Sequence, residues 1–179
     1  MKRTFTFLMT LFLTMGAMWA QVTSLEGFSQ DKCYTFATSS RGAWAVDAEG
    51  TLFSSTGDQG LAEDATDTRQ QFAVLSVNEA DYYLYSVSAK KFIKADRTLV
   101  AGPADALAIA DASSQGAGRV QFRFRDVNNS YINLGGSNQM SVDWWSTIDA
   151  GNAVLVSEAG DFNAAEALAM LSNVCTVTY

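Results

Sequence analysis

One pattern of short alternating segments recurs three times along this chain, and it constrains the fold more than any other feature. The first pass runs Ala43-Trp44-Ala45-Val46, Thr51-Leu52-Phe53 and Gln70-Gln71-Phe72-Ala73-Val74. The second runs Lys91-Phe92-Ile93-Lys94, Thr98-Leu99-Val100 and Val120-Gln121-Phe122-Arg123-Phe124. The third runs Ser130-Tyr131-Ile132-Asn133-Leu134, Gln139-Met140-Ser141-Val142 and Asn152-Ala153-Val154-Leu155-Val156. Each pass reads as a short strand, a turn, a second short strand, a polar loop and a third, alternating strand. Trp44, Phe92 and Tyr131 recur at roughly 40 to 50 residues, the range of modular β architectures. On this reading Phe72, Phe122 and Val154 are equivalent inward positions of a pseudo-threefold, all-β fold.

The segments between the passes fit that reading. Cys33 to Thr38 alternates and opens the first unit, and the aromatic-rich Tyr82 to Ser88 opens the second. The long loops are 57–68, 102–118 and 143–151, the third being the shortest. Residues 105–112 are consistent with either a brief helical turn or an extra strand. After 160 the character changes. Residues 161–171 are rich in helix formers, with Asp161 or Asn163 as N-cap and Leu168 and Leu171 on one face. Residues 174–179 alternate as a strand.

The N-terminus is read separately. Lys2 and Arg3 precede an apolar run from Phe5 to Trp19, and Ala20-Gln21 is a plausible cleavage point. This is the layout of a secretory signal peptide, and the run is short for a bilayer span, which needs about 20 residues. The expected organisation is therefore a signal peptide at 1–20, one β domain at 21–160, and a helical linker and strand at 161–179 that can lead to a further domain. The expected location is outside the cytoplasm (extracellular, periplasmic or at the cell surface), with no membrane contact after cleavage.

Charge and composition narrow the function. The net charge is −7, and without the two positive charges of Lys2 and Arg3 it is −9. An acidic chain is a poor partner for nucleic acid or anionic membranes. The sequence contains no histidine, which removes Ser-His-Asp and Cys-His nucleophile pairs and histidine-ligated zinc. A two-carboxylate hydrolase remains chemically open, but nothing in the sequence buries a carboxylate or raises its pKa, so no catalytic residue is expected. No metal or cofactor is implied. Asp58, Glu63, Asp64 and Asp67 could chelate calcium through oxygen ligands, but they lack the EF-hand spacing and read rather as a solvated loop. Asn128-Asn129-Ser130 reads as a glycosylation acceptor or a plain turn. Cys33 and Cys175 are either a disulfide spanning nearly the whole domain, which would add about 4 to 5 kcal/mol in the chain-entropy account, or two unrelated buried thiols.

Three such units in about 130 residues resemble a β-trefoil. Their last strands resemble those of the ricin B-type lectin family, whose repeats end in Gln-x-Trp. Gln70-Gln71-Phe72 fits with Phe for Trp, Val120-Gln121-Phe122 keeps the aromatic, and Asn152-Ala153-Val154 keeps a polar-x-apolar pattern. Similar modules occur N-terminally in secreted bacterial proteins that act on glycans. The resemblance implies a carbohydrate site built from an Asp, a stacking aromatic and an Asn. By position the first unit offers Val46 and the second Lys94 where the Asp belongs. The third offers Asn133, Trp144 or Trp145 beside Asp143, and Asn152. The expected ligand-binding residues are therefore Asn133, Asp143, Trp144, Trp145 and Asn152. Trp144 and Trp145 have a plainer alternative, capping one end of the fold. The expected function is a secreted, non-catalytic carbohydrate-binding module that can target a downstream catalytic domain. The alternatives are a protein-binding, inhibitor-like trefoil using the 102–118 loop, or a structural spacer.

Overall fold

The computed structural model describes residues 22–51, 53, 61–102, 104–127, 131–135, 140–141 and 146–172. The segment expected to be a signal peptide, the Asn128-Asn129-Ser130 acceptor, Asp58, Cys175 and the strand expected at 174–179 lie outside these residues. The described chain is mostly antiparallel β-structure with one short helix. Its strands are β1 (Lys32–Thr38), β2 (Phe72–Ser76), β3 (Tyr82–Ser86), β4 (Lys91–Ile93), β5 (Leu99–Val100), β6 (Leu107–Asp111), β7 (Val120–Phe124), β8 (Asn133–Leu134), β9 (Met140–Ser141) and β10 (Val154–Asp161), followed by helix α1 (Ala165–Ser172).

Eight strands form one sheet in the order β5-β4-β3-β2-β1-β10-β7-β6, and β8 pairs with β9 separately. Within the large sheet β3 and β6 also come against each other, so β3, β2, β1, β10, β7 and β6 run round as neighbours. Three long antiparallel pairings organise them. β1 and β10 pair from Lys32↔Asp161 to Thr38↔Val154, with a bulge between Cys33 and Tyr34. β2 and β3 pair from Phe72↔Ser86 to Ser76↔Tyr82, and β6 and β7 from Leu107↔Phe124 to Asp111↔Val120. Shorter pairings attach between them: Val46↔Phe53, β4 with β5, and β8 with β9.

This arrangement moves the boundary between the second and third passes. Val120–Phe124 follows β6 as Tyr82–Ser86 follows β2. It therefore opens the third pass, where the sequence pattern has it closing the second. The segment left open between helical turn and strand is a strand, β6, and it closes the second pass. Phe122 thus stands with Phe36 of β1 and Leu84 of β3, while Leu107 stands with Phe72 and Val154. All six side chains are buried in the same cluster.

That cluster is aromatic at its centre. Trp44 stacks on Phe36 with ring centroids 4.7 Å apart, and meets Phe53 and Phe122 edge-on at 5.4 and 5.6 Å. Phe36 meets Phe122 and Phe72 edge-on at 5.4 and 6.0 Å. Such pairs add about 0.5–1.5 kcal/mol each beyond the burial of their area.

A second cluster lies on the opposite face of β2, β3 and β4. Strand alternation sends Phe72 and Val74 into the first cluster, and Ala73 and Leu75 into the second, where Ala167 and Leu171 of α1 cover them together with Tyr85 and Phe92. Strand β2 is consequently buried at every position. The helix begins where Asn163 Oδ1 accepts a hydrogen bond from the Ala165 amide at 3.1 Å, as a capping side chain does. Leu171 is buried, and Leu168 is half-buried beside it.

The second cluster also resets the aromatic repeat. Trp44 is in the first cluster, Phe92 is in the second, and Tyr131 is half-buried. The first cluster instead takes Trp44 and Val46, then Ile93 and Ala95, then Ile132 and Leu134. A shift of one residue in a strand moves every side chain to the other face. The equivalent of Lys94 and Asn133 is therefore Ala45, and Val46 stands one place away. Backbone hydrogen bonds agree: Val46 N donates to Arg69 O at 3.0 Å, and Leu134 N donates to Gly151 O at 2.9 Å.

Cys33 is a buried free thiol whose Sγ lies 3.5 Å from the Gly160 carbonyl oxygen. No helix among the described residues is long and apolar enough to cross a membrane.

Candidate functional site

The polar residues of the third unit come together where β8 meets the loop before β10. Asp149 is the centre. Its Oδ1 accepts three hydrogen bonds, from Asn133 Nδ2 at 2.8 Å, Gly151 N at 2.8 Å and Asn152 N at 3.1 Å. Its Oδ2 lies 3.1 Å from Nη2 of Arg41. Arg41 belongs to the turn after β1, so the site draws on the first unit as well as the third. Its Nη1 donates to the Leu134 carbonyl at 3.1 Å and, at 3.4 Å, to Asn133 Oδ1. The turn is held in place: Arg41 N donates to Thr38 Oγ1 at 2.9 Å, and Ser39 Oγ donates to the Ala150 carbonyl at 3.1 Å.

The approach is close enough that Gly151 admits no side chain. A Cβ there would lie 2.2 Å from Leu134 O, 2.5 Å from Arg41 Nη1 and 2.8 Å from Asn133 Oδ1.

Of the five residues expected to bind ligand, Asn133 and Asn152 are described and lie on either side of Asp149. Asp143, Trp144 and Trp145 lie outside the described residues. Asn133 is 3% exposed and both ends of its amide are engaged. Asn152 is fully buried; its Oδ1 accepts from Asp149 N at 3.0 Å, and its Nδ2 donates to the Thr147 carbonyl at 2.7 Å. Arg41 and Asp149 are the partly open groups, with side chains 29% and 19% exposed.

Asp149 and Arg41 were missed by sequence reasoning, yet Asp149 carries a signal. It stands three residues before Asn152, as Asp67 stands three before Gln70. Asp67 Oδ1 accepts from Arg69 N at 3.0 Å, as Asp149 Oδ1 accepts from Gly151 N. Gln70 is buried like Asn152; its Oε1 accepts from Asp64 N at 3.1 Å, and its Nε2 donates to the Ala62 carbonyl at 3.0 Å. In the second unit the same place, two residues before the inward apolar Leu107, is taken by Asp105, whose Oδ2 accepts from Ala95 N at 2.8 Å. The polar-x-apolar motif therefore braces a loop onto the sheet in every unit. Arg41 leaves no such trace, since its turn has no counterpart motif.

Several described carboxylates outside this site are tied to local partners. The hydrogen bond from Arg69 holds the Asp67 carboxyl below the usual carboxylate range, Arg125 does so for Asp81, Lys32 for Asp161, and Thr66 and Thr98 for Asp64 and Asp96. Glu63 accepts from Thr35 Oγ1 at 2.5 Å. No group of three or more metal-ligating side chains occurs among the described residues.

No family model matches the sequence, and no curated protein matches it. Among solved structures, the fold is similar to a GlcNAcα1-4Gal-releasing endo-β-galactosidase from Clostridium perfringens, with a TM-score of 0.54 and 8% identity over 71% of this chain and 32% of that one. It is also similar to the lectin of Polyporus squamosus, solved with a human-type influenza-binding epitope, Neu5Acα2-6Galβ1-4GlcNAc, with a TM-score of 0.45 and 15% identity over 73% of this chain and 49% of that one. The chain thus spans about a third of the galactosidase and half of the lectin.

Proposed function

We propose that this protein is a secreted, non-catalytic carbohydrate-binding module with a β-trefoil fold, able to hold a catalytic domain on its glycan. The fold reading is supported by six strands that run round as neighbours and by three short pairings attached between them, one per unit. The fold is shared with part of an endo-β-galactosidase. A fold does not by itself give a function. The observation that carries the ligand reading is the polar cluster of the third unit, where Arg41, Asn133 and Asp149 meet within hydrogen-bond distance. Asp143, Trp144 and Trp145 fall in sequence between the two arms of that cluster, β8 and the Asp149 loop. Carboxylate and amide groups take sugar hydroxyls and an indole ring face stacks on the C–H face of the sugar, the two halves of a sugar platform.

The non-catalytic part rests on acidity. The described carboxylates whose pKa is displaced are displaced downward by hydrogen bonds, whereas a glycosidase acid needs a carboxyl raised by burial or by a like charge. The secreted part rests on Lys2, Arg3 and the apolar run that follows them.

The test is a glycan array followed by titration calorimetry with the full chain, with Trp144→Ala and Trp145→Ala alongside. The expected outcome is binding between about millimolar and micromolar, the range of a single shallow site, weakened by at least one of the two substitutions. Binding that neither substitution weakens would place the site elsewhere. No binding to any glycan would leave the protein-binding or spacer alternative.

A further inference from the structure

We propose that the third unit contains a saccharide-hydroxyl site whose floor is three acceptors, Asn133 Oδ1, the Leu134 carbonyl and Asp149 Oδ2, and that Arg41 is its built-in occupant. This inference rests on the carbohydrate reading above. The three acceptors belong to residues of β8 and the loop before β10, and they converge on one guanidinium: Nη1 lies 3.4 Å from Asn133 Oδ1 and 3.1 Å from Leu134 O, and Nη2 lies 3.1 Å from Asp149 Oδ2.

With Arg41 in place, the described residues of this cluster offer a ligand little. Asn133 is 3% exposed, and its Nδ2 is committed to Asp149. Asp149 Oδ1 is saturated by three donors. Among the described residues of the cluster, the acceptors that a sugar hydroxyl could use are those Arg41 already uses. Withdrawal of the guanidinium would free all three at once while leaving the Asn133–Asp149 bond and both backbone bonds to Oδ1 intact. The floor would therefore stay formed. Its acceptor-only character selects a ligand that presents several O–H donors from one face, as adjacent hydroxyls of a neutral hexose do, and disfavours a carboxylate-bearing sugar, which would meet Asp149.

Arg41 can leave without unfolding its turn. The turn is held by Thr38 and Ser39 through their own hydrogen bonds, not through the guanidinium. The side chain is already 29% exposed at the rim. An internal occupant lowers apparent affinity by the fraction of molecules in which it sits on the floor. If the floor is free in a tenth of molecules, the reduction is about tenfold.

The experiment compares the wild-type full chain with Arg41→Ala and Arg41→Gln on an array of neutral and acidic oligosaccharides, then by titration with the best neutral ligand. The expected result is a gain of about tenfold or more for neutral glycans in both variants. Adding Asn133→Ala should abolish that gain. Excess methylguanidinium, which can refill the vacated seat, should suppress it in Arg41→Ala and leave wild type unaffected. A gain in binding cannot come from unfolding. Glycan binding of equal strength in wild type and both variants would overturn the inference and leave the carbohydrate reading standing. Loss of the folded state in both variants would make Arg41 a structural clasp and overturn it as well. Failure of wild type and variants alike to bind any glycan would overturn the carbohydrate reading and this inference with it.

Discussion

The side-chain amides of Gln70 and Asn152 make the same two hydrogen bonds in different units. Each oxygen accepts from a backbone N–H of the loop preceding its own strand, Asp64 N or Asp149 N, and each nitrogen donates to a carbonyl of that loop, Ala62 O or Thr147 O. A residue type that a lectin-like reading assigns to sugar hydroxyls is here spent inside the fold. An amide suits the role because it alone among short neutral side chains offers a donor and an acceptor side by side.

Removing either amide should therefore cost stability before it costs binding. Gln70→Ala and Asn152→Ala each strand one buried donor and one buried acceptor, for a loss of roughly 1–3 kcal/mol. Asn152→Asp should be worse than Asn152→Ala, since it keeps the bond from Asp149 N but sets a carboxylate oxygen against the Thr147 carbonyl. Urea unfolding followed by tryptophan fluorescence measures both; unchanged midpoints would show that the loops hold without the braces.

Gly151→Ala should destabilise by about 3 kcal/mol, the upper end of ordinary overpacking. The added methyl would sit 2.2 Å from a backbone carbonyl oxygen, which cannot rotate out of the way as a side chain could. Thermal unfolding would report it, and an unshifted melting temperature would mean that β8 and the Asp149 loop can separate freely.

Stability should be level from neutrality to about pH 5 and fall below about pH 4. The chain has no histidine to titrate in the upper range. Asp67 is held low chiefly by the hydrogen bond from Arg69. A carboxyl whose folded pKa lies below its unfolded value stabilises the fold above the unfolded pKa, and that contribution disappears as pH falls through the folded one. Asp67→Asn should make the acid limb slightly shallower, by a small amount because the pair is partly open to solvent. Urea midpoints between pH 2 and 7 give the curve, and an identical acid limb in the variant would remove Asp67 from the account.

Cys33 should resist alkylation in the native protein. Burial pushes its thiol pKa up, so little thiolate is present near pH 7 and the sulfur is shielded. Iodoacetamide labelling with peptide mapping should leave the Cys33 peptide unmodified until denaturant is added, and modify it then without reductant. Labelling that requires reductant even in denaturant would show a bond to Cys175.

How far the fold was legible follows from which faces are buried. Val154 to Val156, with one buried face, announced itself by alternation. Cys33 to Thr38 alternates in sequence too, although it is buried continuously from Cys33 to Phe36. Of the two N-cap candidates Asp161 and Asn163, it is Asn163 that meets the helix. Phe92-Ile93 and Tyr131-Ile132 did not disclose their register, because two adjacent apolar residues fit either face. In the second unit both faces are in fact buried, one under α1. Leu107–Asp111 resisted assignment because its alanines favour a helix as readily as its pairing with β7 makes it a strand. At the polar cluster, Asn133 and Asn152 were named through the resemblance to lectin repeats. Asp149 could have been found from the spacing it shares with Asp67, but Arg41 could not, since only the folded chain brings that turn against β8.

The pairing of β1 with β10 also sets how the domain responds to being pulled. Lys32 faces Asp161 at the end of that pairing, and Phe162 N donates to Asp31 O at 2.7 Å just beyond it. Tension applied at residues 31 and 162 therefore loads one hydrogen bond at a time, opening the two strands like a zip from the Lys32 end toward Thr38, where a shear geometry would load the whole ladder together. A pull at those two points would open the ladder at low force, with the bulge at Cys33 and Tyr34 among the first points to yield.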